Sequence, residues 1–60
     1  MNEERGAFRI LVVDDEAEIV RDLVDLLAEQ GYAASGAGSG AQALELLRGR
    51  PFDLVVADLR

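Results

Sequence analysis

Two short apolar runs in this chain lead directly into acidic residues. The first run, Phe8–Val13, is followed by Asp14 and Asp15, and the second, Phe52–Ala57, is followed by Asp58. An almost uniformly apolar run of this length, rich in β-branched residues, is typical of a strand that is covered on both faces. Carboxylates at the end of a buried strand repel one another and lose hydration, so the fold must compensate their charge.

The segment after the first run predicts an amphipathic helix over residues 16–29. Its apolar side chains recur with helical spacing, while charged residues gather on the opposite side. The apolar positions are Val20, Leu23, Val24 and Leu27. Asp15 is the predicted helix cap, with Glu18 three residues later as in a capping box, and Gly31 is the predicted stop.

A second helix is predicted over residues 40–48. Ser39 and Gln42 have the spacing of a capping box at its start, and Gly49 and Pro51 mark its end. The alanine-rich segment 32–35 between the helices is a weak predicted strand. The chain is therefore expected to form a polar leader over residues 1–7, strands over about 8–13, 32–35 and 52–57, and helices over about 16–29 and 40–48.

The order β-α-β-α-β predicts an α/β fold with a parallel sheet, of the flavodoxin-like kind with strand order 2-1-3. In such sheets ligands bind beyond the carboxyl ends of the strands, where the strand order reverses. Asp14, Asp15 and Asp58 follow the two adjacent strands that meet there, so they are expected to form one acidic cluster. Asp53 precedes the last strand and is expected at the opposite edge of the sheet.

Composition narrows the possible partners. The chain has 60 residues, no cysteine and a net charge of −6, so it is at most one small domain without disulfides. Its acidity argues against direct contact with nucleic acid and favours a divalent cation as a ligand. No apolar run reaches membrane-spanning length, which predicts no membrane contact and a cytoplasmic protein. Its six cationic residues are all arginine, which hints at a GC-rich bacterial source.

Several motifs at matching spacings resemble the first half of a response-regulator receiver domain, the phosphoryl-accepting module of two-component signalling. The motifs are ILVVDDE at residues 10–16, GY at 31–32, GSGAQALELL at 38–47 and FDLVVADLR at 52–60. The resemblance covers residues 8–60, which is nearly the whole chain after the leader. It is far more specific than a lone acidic pair.

The resemblance implies roles for individual residues. Asp58 corresponds to the phospho-acceptor and nucleophile, and Asp15 to a direct ligand of Mg²⁺. Asp58 is also a metal ligand, Asp14 holds the ion through water, and Arg60 supplies a main-chain oxygen. The implied phosphoryl donor is the phosphohistidine of a histidine kinase or a phosphotransfer protein. Bound Mg²⁺ would compensate the charge of the acidic cluster.

The family pattern continues beyond Arg60 with further strands and helices, including a Ser or Thr and a Lys that contact the phosphoryl group. These are not within the 60 residues, so we expect the sequence to be an excerpt of a longer signalling protein. Whether the isolated chain is an enzyme stays open. An alternative is an inert or dimerising structural fragment, in which the apolar third strand self-associates edge to edge.

A second alternative belongs to another class of protein. Gly36, Gly38 and Ala41 match the pattern G-x-G-x-x-A, with Asp53 and Asp58 roughly twenty residues later, as in a dinucleotide-binding βαβ unit. That motif should follow a strong first strand, but here it follows the weakest one, and it gives the acidic pair no role. The competing interpretation is a strand-to-helix loop whose Ser39 caps the helix. Stabilisation by a dinucleotide would distinguish these two interpretations.

Overall fold

A computed structural model of the protein describes residues 7–58, which form five secondary-structure elements. The order β-α-β-α-β confirms the prediction. The elements are β1 (Arg9–Val13), α1 (Ala17–Glu29), β2 (Ala33–Ala37), α2 (Gly40–Gly49) and β3 (Leu54–Ala57). Within the described residues, neither helix has both the length and the apolar character needed to cross a membrane.

The three strands form a parallel sheet in the order β2-β1-β3, which confirms the predicted flavodoxin-like arrangement. Val12 in the middle strand pairs with Gly36 on one side and Val56 on the other. Val13 likewise pairs with Ala37 and Ala57. The strands therefore end together, and the residues that follow them emerge at one edge of the sheet.

The core is built around β1, whose residues 10–13 are all buried. Leu11 and Val13 pack with Ala37 and with Ala43 of α2 on one face of the sheet. Successive strand residues point to opposite faces, so Val12 and its partner Gly36 face α1. The two helices thus cover opposite faces, as a βαβαβ sheet requires.

The prediction that the third strand is covered on both faces is wrong. Leu54, Val55 and Val56 are 47%, 44% and 42% exposed. Both helices pack on β1 and β2, and neither contacts β3 among the residues described. Among the described strands, β3 pairs only with β1, and slightly less than half of the surface of each of these three residues is exposed.

The structure corrects the predicted start of α1 and confirms its end. Asp15 is not the cap: the N-cap residue is Glu16, which makes no side-chain capping bond. At the other end, Gly31 has φ of +96°. Its N–H donates to Ala28 O over 3.0 Å, and Tyr32 N–H donates to Leu27 O over 3.1 Å. These two bonds form a Schellman motif, which ends the helix where the glycine predicted.

Strand β2 runs two residues further than predicted, through Gly36 and Ala37. Neither residue favours a strand by itself. Pairing with Val12 and Val13 of β1 extends the ladder over them. The other bounds differ by one or two residues: β1 begins at 9, β2 at 33 and β3 at 54, and α2 ends at 49.

The start of α2 is as predicted, because Ser39 is its N-cap residue and Ser39 Oγ accepts a hydrogen bond from Gln42 N–H over 3.1 Å. The predicted leader lies almost wholly in residues 1–6, outside the described part of the chain, as does Arg60.

Candidate functional site

Backbone hydrogen bonds hold the acidic residues beyond the strand ends. Asp14 N–H donates to Ala37 O over 3.2 Å, and Asp58 N–H donates to Val13 O over 3.1 Å. The sheet ladder therefore continues one residue past the end of each strand. This continuation fixes the main chain of Asp14 and Asp58 side by side at the carboxyl edge of the sheet, where parallel sheets bind ligands.

A cavity of about 250 Å³ lies at this edge. Asp14, Asp15 and Asp58 line it, together with Gly38, Ser39 and Gly40 at the start of α2. The structure thus brings together the three carboxylates that the sequence placed in one cluster. Their individual chemical roles stay predictions.

A larger cavity of about 360 Å³ lies between α1 and β2. Its lining is mainly apolar and includes Val20, Val24 and Gly36, and Arg21 is its one ionisable side chain. A reactive site needs convergent polar groups, and the acid cavity has three of them. We therefore take the acid cavity as the candidate site.

The three carboxylates differ in exposure. Asp14 is only 4% exposed, and its Oδ1 accepts a hydrogen bond from Glu16 N–H over 2.9 Å. That bond gives the buried carboxylate a main-chain partner and holds it against the start of α1. Asp15 and Asp58 are exposed. The cluster therefore has one anchored, buried member and two members that a ligand in the cavity can reach.

The donor set has the chemistry that Mg²⁺ prefers. All three side chains offer hard carboxylate oxygens, and Mg²⁺ takes few protein ligands because it keeps several waters. Within residues 7–58, no group of three or more acidic, histidine or cysteine side chains is placed to hold a metal ion. The residues present fit a site with fewer than three direct side-chain ligands and water in the remaining positions, as Mg²⁺ tolerates.

A second part of the cavity lining, here called the wall, consists of Gly38 and Ser39 between β2 and α2 and of Gly40, the first residue of α2. Gly38 N–H donates to Gln42 Oε1 over 2.6 Å, so the first turn of α2 holds the loop. Ser39 and Gly40 begin α2 at the cavity, and the partial positive charge of a helix N-terminus offsets repulsion among nearby carboxylates. The sequence identified Ser39 and Gln42 only as a helix start. The position of Gly38–Gly40 directly after a parallel strand could have indicated that they line the cavity, because the carboxyl ends of parallel strands lie at one edge of the sheet.

Asp53 lies at the opposite end of the sheet, as predicted. Its Oδ2 accepts a hydrogen bond from Arg9 N–H over 2.8 Å, and its own N–H donates to Arg9 O over 2.8 Å. It therefore joins the starts of β1 and β3 and does not line the acid cavity.

The dinucleotide-binding alternative lacks its structural context. Gly36, its first glycine, lies inside β2 and not in the turn after a strand. A Cβ at this position would collide with Cγ1 of Val20 in α1. Gly36 is thus explained by close packing of strand and helix, with no phosphate to approach.

Comparison with known proteins supports the receiver interpretation. The family model for the response regulator receiver domain matches residues 10–60. The alginate biosynthesis transcriptional regulatory protein AlgB of Pseudomonas putida is 48% identical over 52 residues, which are 87% of this chain and 12% of that protein. The transcriptional regulatory protein ZraR of Escherichia coli O157:H7 is 51% identical over 51 residues, or 85% of this chain and 12% of that protein.

A third relative is the transcriptional regulatory protein PdtaR of Mycobacterium tuberculosis, which is 43% identical over 53 residues, 87% of this chain and 26% of that protein. The chain thus spans between 12% and 26% of the length of these relatives. No solved structure matches the chain. The family match covers the strands, both helices and the three carboxylates of the acid cavity, and this chain belongs to the response regulator receiver domain family.

Proposed function

We propose that this chain accepts a phosphoryl group on Asp58 from a histidine kinase or a phosphotransfer protein in a two-component system. The observation that carries the proposal is the placement of Asp58. It is exposed at the end of β3, and its backbone bond to Val13 holds it beside Asp14 and Asp15 in one cavity. An incoming phosphoryl donor can therefore reach Asp58 from solvent.

The proposed reaction is a displacement at phosphorus. A carboxylate oxygen of Asp58 attacks the phosphorus atom of phosphohistidine, and a new P–O bond forms as the P–N bond breaks. The imidazole nitrogen leaves with the bonding electron pair and takes a proton from solvent. The product is an acyl phosphate on Asp58. Both reactants are anionic, so the transition state needs positive charge nearby.

The residues proposed to hold Mg²⁺ are Asp15 and Asp58 directly, Asp14 through water and Arg60 through its main-chain oxygen. When bound, the ion supplies positive charge that offsets the charge of the transferring phosphoryl group. Asp14 contributes rigidity, because its bond to Glu16 N–H holds this part of the cavity in place. The proposed setting is the cytoplasm.

The full-length protein is the object to test. These 60 residues contain no lysine, so the lysine that the family uses against the phosphoryl oxygens is not among them. The relatives' names describe transcriptional regulatory proteins, which makes regulated transcription the class of output to test first.

The deciding experiment incubates the full-length protein with acetyl phosphate and Mg²⁺ and measures the mass gain of one phosphoryl group. We expect labelling of the wild-type protein and none of Asp58→Asn. Asp53→Asn is the matched control, because it alters an acid at the opposite edge of the sheet and should be labelled normally. Labelling of Asp58→Asn, or no labelling of the wild type, would contradict the proposal.

One observation favours the structural-fragment alternative for the isolated 60 residues. All residues of β3 are exposed, and most of them are apolar. Under this alternative the isolated chain would associate through β3 and would not be labelled by acetyl phosphate. A labelled monomer in solution would rule it out.

A further inference from the structure

We infer that Gln42 is a positioning residue for phosphoryl transfer. Its side chain holds Gly38 in the Gly38–Gly40 wall of the acid cavity and thereby sets the rate at which Asp58 is phosphorylated. The inference rests on the proposed function. Gln42 itself does not line the acid cavity, so it acts through the backbone of Gly38.

The wall needs an external restraint because of its composition. It consists of Gly38, Ser39 and Gly40, and glycine loses more conformational freedom on ordering than any other residue. Ser39 and Gly40 are already held as the N-cap and first residue of α2, so Gly38 is the position of the wall that depends on a further bond. The wall is one side of the cavity that contains Asp58, so its movement changes the space open to a phosphoryl donor.

Gln42 supplies the restraint at two points. Its side-chain Oε1 accepts a hydrogen bond from Gly38 N–H over 2.6 Å, and its main-chain N–H donates to Ser39 Oγ over 3.1 Å. Only the first of these bonds depends on the identity of the side chain, which reaches back from the first turn of α2 to Gly38. The fit is close, because a Cβ on Gly38 would lie 3.3 Å from Gln42 Oε1.

The consequence for the reaction follows from geometry. Phosphoryl transfer requires the donor phosphorus to lie in line with a carboxylate oxygen, and small displacements from that alignment lower the rate. A wall that samples several positions spends less time in the one that admits the donor correctly. Losing the bond to Gly38 should therefore slow phosphorylation without removing any group that reacts.

The experiment measures the rate constant for phosphorylation of the full-length protein by acetyl phosphate at saturating Mg²⁺. Gln42→Leu has similar size and helix propensity but no acceptor, and we expect its rate constant to be about three- to tenfold lower, as for the loss of one hydrogen bond. Gln42→Glu keeps an acceptor oxygen and should stay within about twofold of wild type at high ionic strength, where its added charge is screened.

Glu45→Leu is the matched control. Glu45 is an exposed residue on the same helix and does not line the acid cavity, so its replacement should leave the rate within about twofold of wild type. A purely structural role for Gln42 would lower the stability of Gln42→Leu and leave the phosphorylation rate constant of the folded protein unchanged. Equal rates for wild type and Gln42→Leu would overturn the inference.

A second variant removes the same acceptor with a different side chain. Gln42→Met keeps the length and helix propensity of glutamine without its amide oxygen, and it should slow phosphorylation as Gln42→Leu does. Should Gln42→Leu fail to fold, a normal rate in Gln42→Met would overturn the inference. An unlabelled wild type would instead refute the proposed function itself.

Discussion

Asp14 is the buried member of the acidic cluster, and its side chain contributes both a hydrogen-bond acceptor and a negative charge. The carboxylate is 4% exposed, and Oδ1 accepts the N–H of Glu16, the N-cap residue of α1. The bond contributes to folding, whereas the charge contributes to the proposed metal site. An amide in place of the carboxylate keeps the first contribution and loses the second.

We expect Asp14→Asn to retain the unfolding free energy of the wild type to within about 0.5 kcal/mol without metal, because the acceptor oxygen remains. Asp14→Ala should lose about 1–2 kcal/mol, because a helix-start N–H loses its partner. Urea unfolding with and without Mg²⁺ measures both effects. Mg²⁺ should stabilise the wild type more than either variant, because both variants keep the proposed direct ligands Asp15 and Asp58 but lose the charge of Asp14. Equal losses in the Asn and Ala variants would contradict this prediction.

Gly36 shows how one missing methyl group sets the distance between strand and helix. A Cβ there would meet Val20 Cγ1 well inside van der Waals contact, so Gly36→Ala should lower the unfolding free energy by about 1–3 kcal/mol through overpacking. Adding Val20→Ala should recover part of the loss. Gly49→Ala is the control, since no atom lies within 4 Å of its Cβ position. If urea unfolding gave Gly36→Ala the same stability as the wild type, the expected clash with Val20 would be absent.

At the scale of elements, each strand of the sheet is fixed at both ends. The carboxyl ends are joined by the Asp14 and Asp58 backbone bonds, and the amino ends of β1 and β3 are joined through Asp53 and Arg9. Asp53 uses both its main chain and its side chain, so it sets the register at which β3 begins. Asp53 therefore joins two strands of the sheet and does not belong to the acid cavity.

Asp53→Ala should therefore lower the unfolding free energy by about 0.5–1.5 kcal/mol and speed amide hydrogen exchange at Arg9. Asp53→Asn retains an acceptor and should show neither effect. Asp25→Ala, on the exposed side of α1, controls for the loss of a negative charge. Unchanged exchange at Arg9 in Asp53→Ala would mean that the side-chain bond has no role in holding the strand.

At the scale of the whole molecule, the core is small and several large apolar side chains are exposed to water. Buried apolar side chains come mainly from β1, while Leu54, Val55 and Val56 are exposed in an outer strand. An exposed apolar edge strand pairs readily with another chain. The isolated 60 residues should therefore associate with increasing concentration.

Analytical ultracentrifugation of the isolated chain measures this association. Val55→Lys places a charge on β3 and should shift the equilibrium toward monomer, because a lysine on an edge strand opposes pairing. Leu44→Lys is the control: Leu44 is 60% exposed but lies on α2. A chain that is monomeric at every concentration, or one that responds equally to both substitutions, would contradict association through β3.

Several features could be predicted from the sequence alone. They are the element order, the parallel sheet, the end of α1 at Gly31, the cap at Ser39 and the family. These features depend on periodicity and on turn and cap residues within a few positions of each other, so they can be recognised locally. The meeting of Asp14, Asp15 and Asp58 also followed, because parallel strands of known order share one edge.

The remaining features depend on tertiary contacts. Strand β2 extends through Gly36 and Ala37 because β1 pairs with them, and β3 is exposed because neither helix contacts it among the described residues. Likewise, the N-cap of α1 is Glu16, whose N–H is bound by the buried Asp14 carboxylate. Each outcome depends on which distant elements pack together, and the free energy of those contacts outweighs the local preference of the residues.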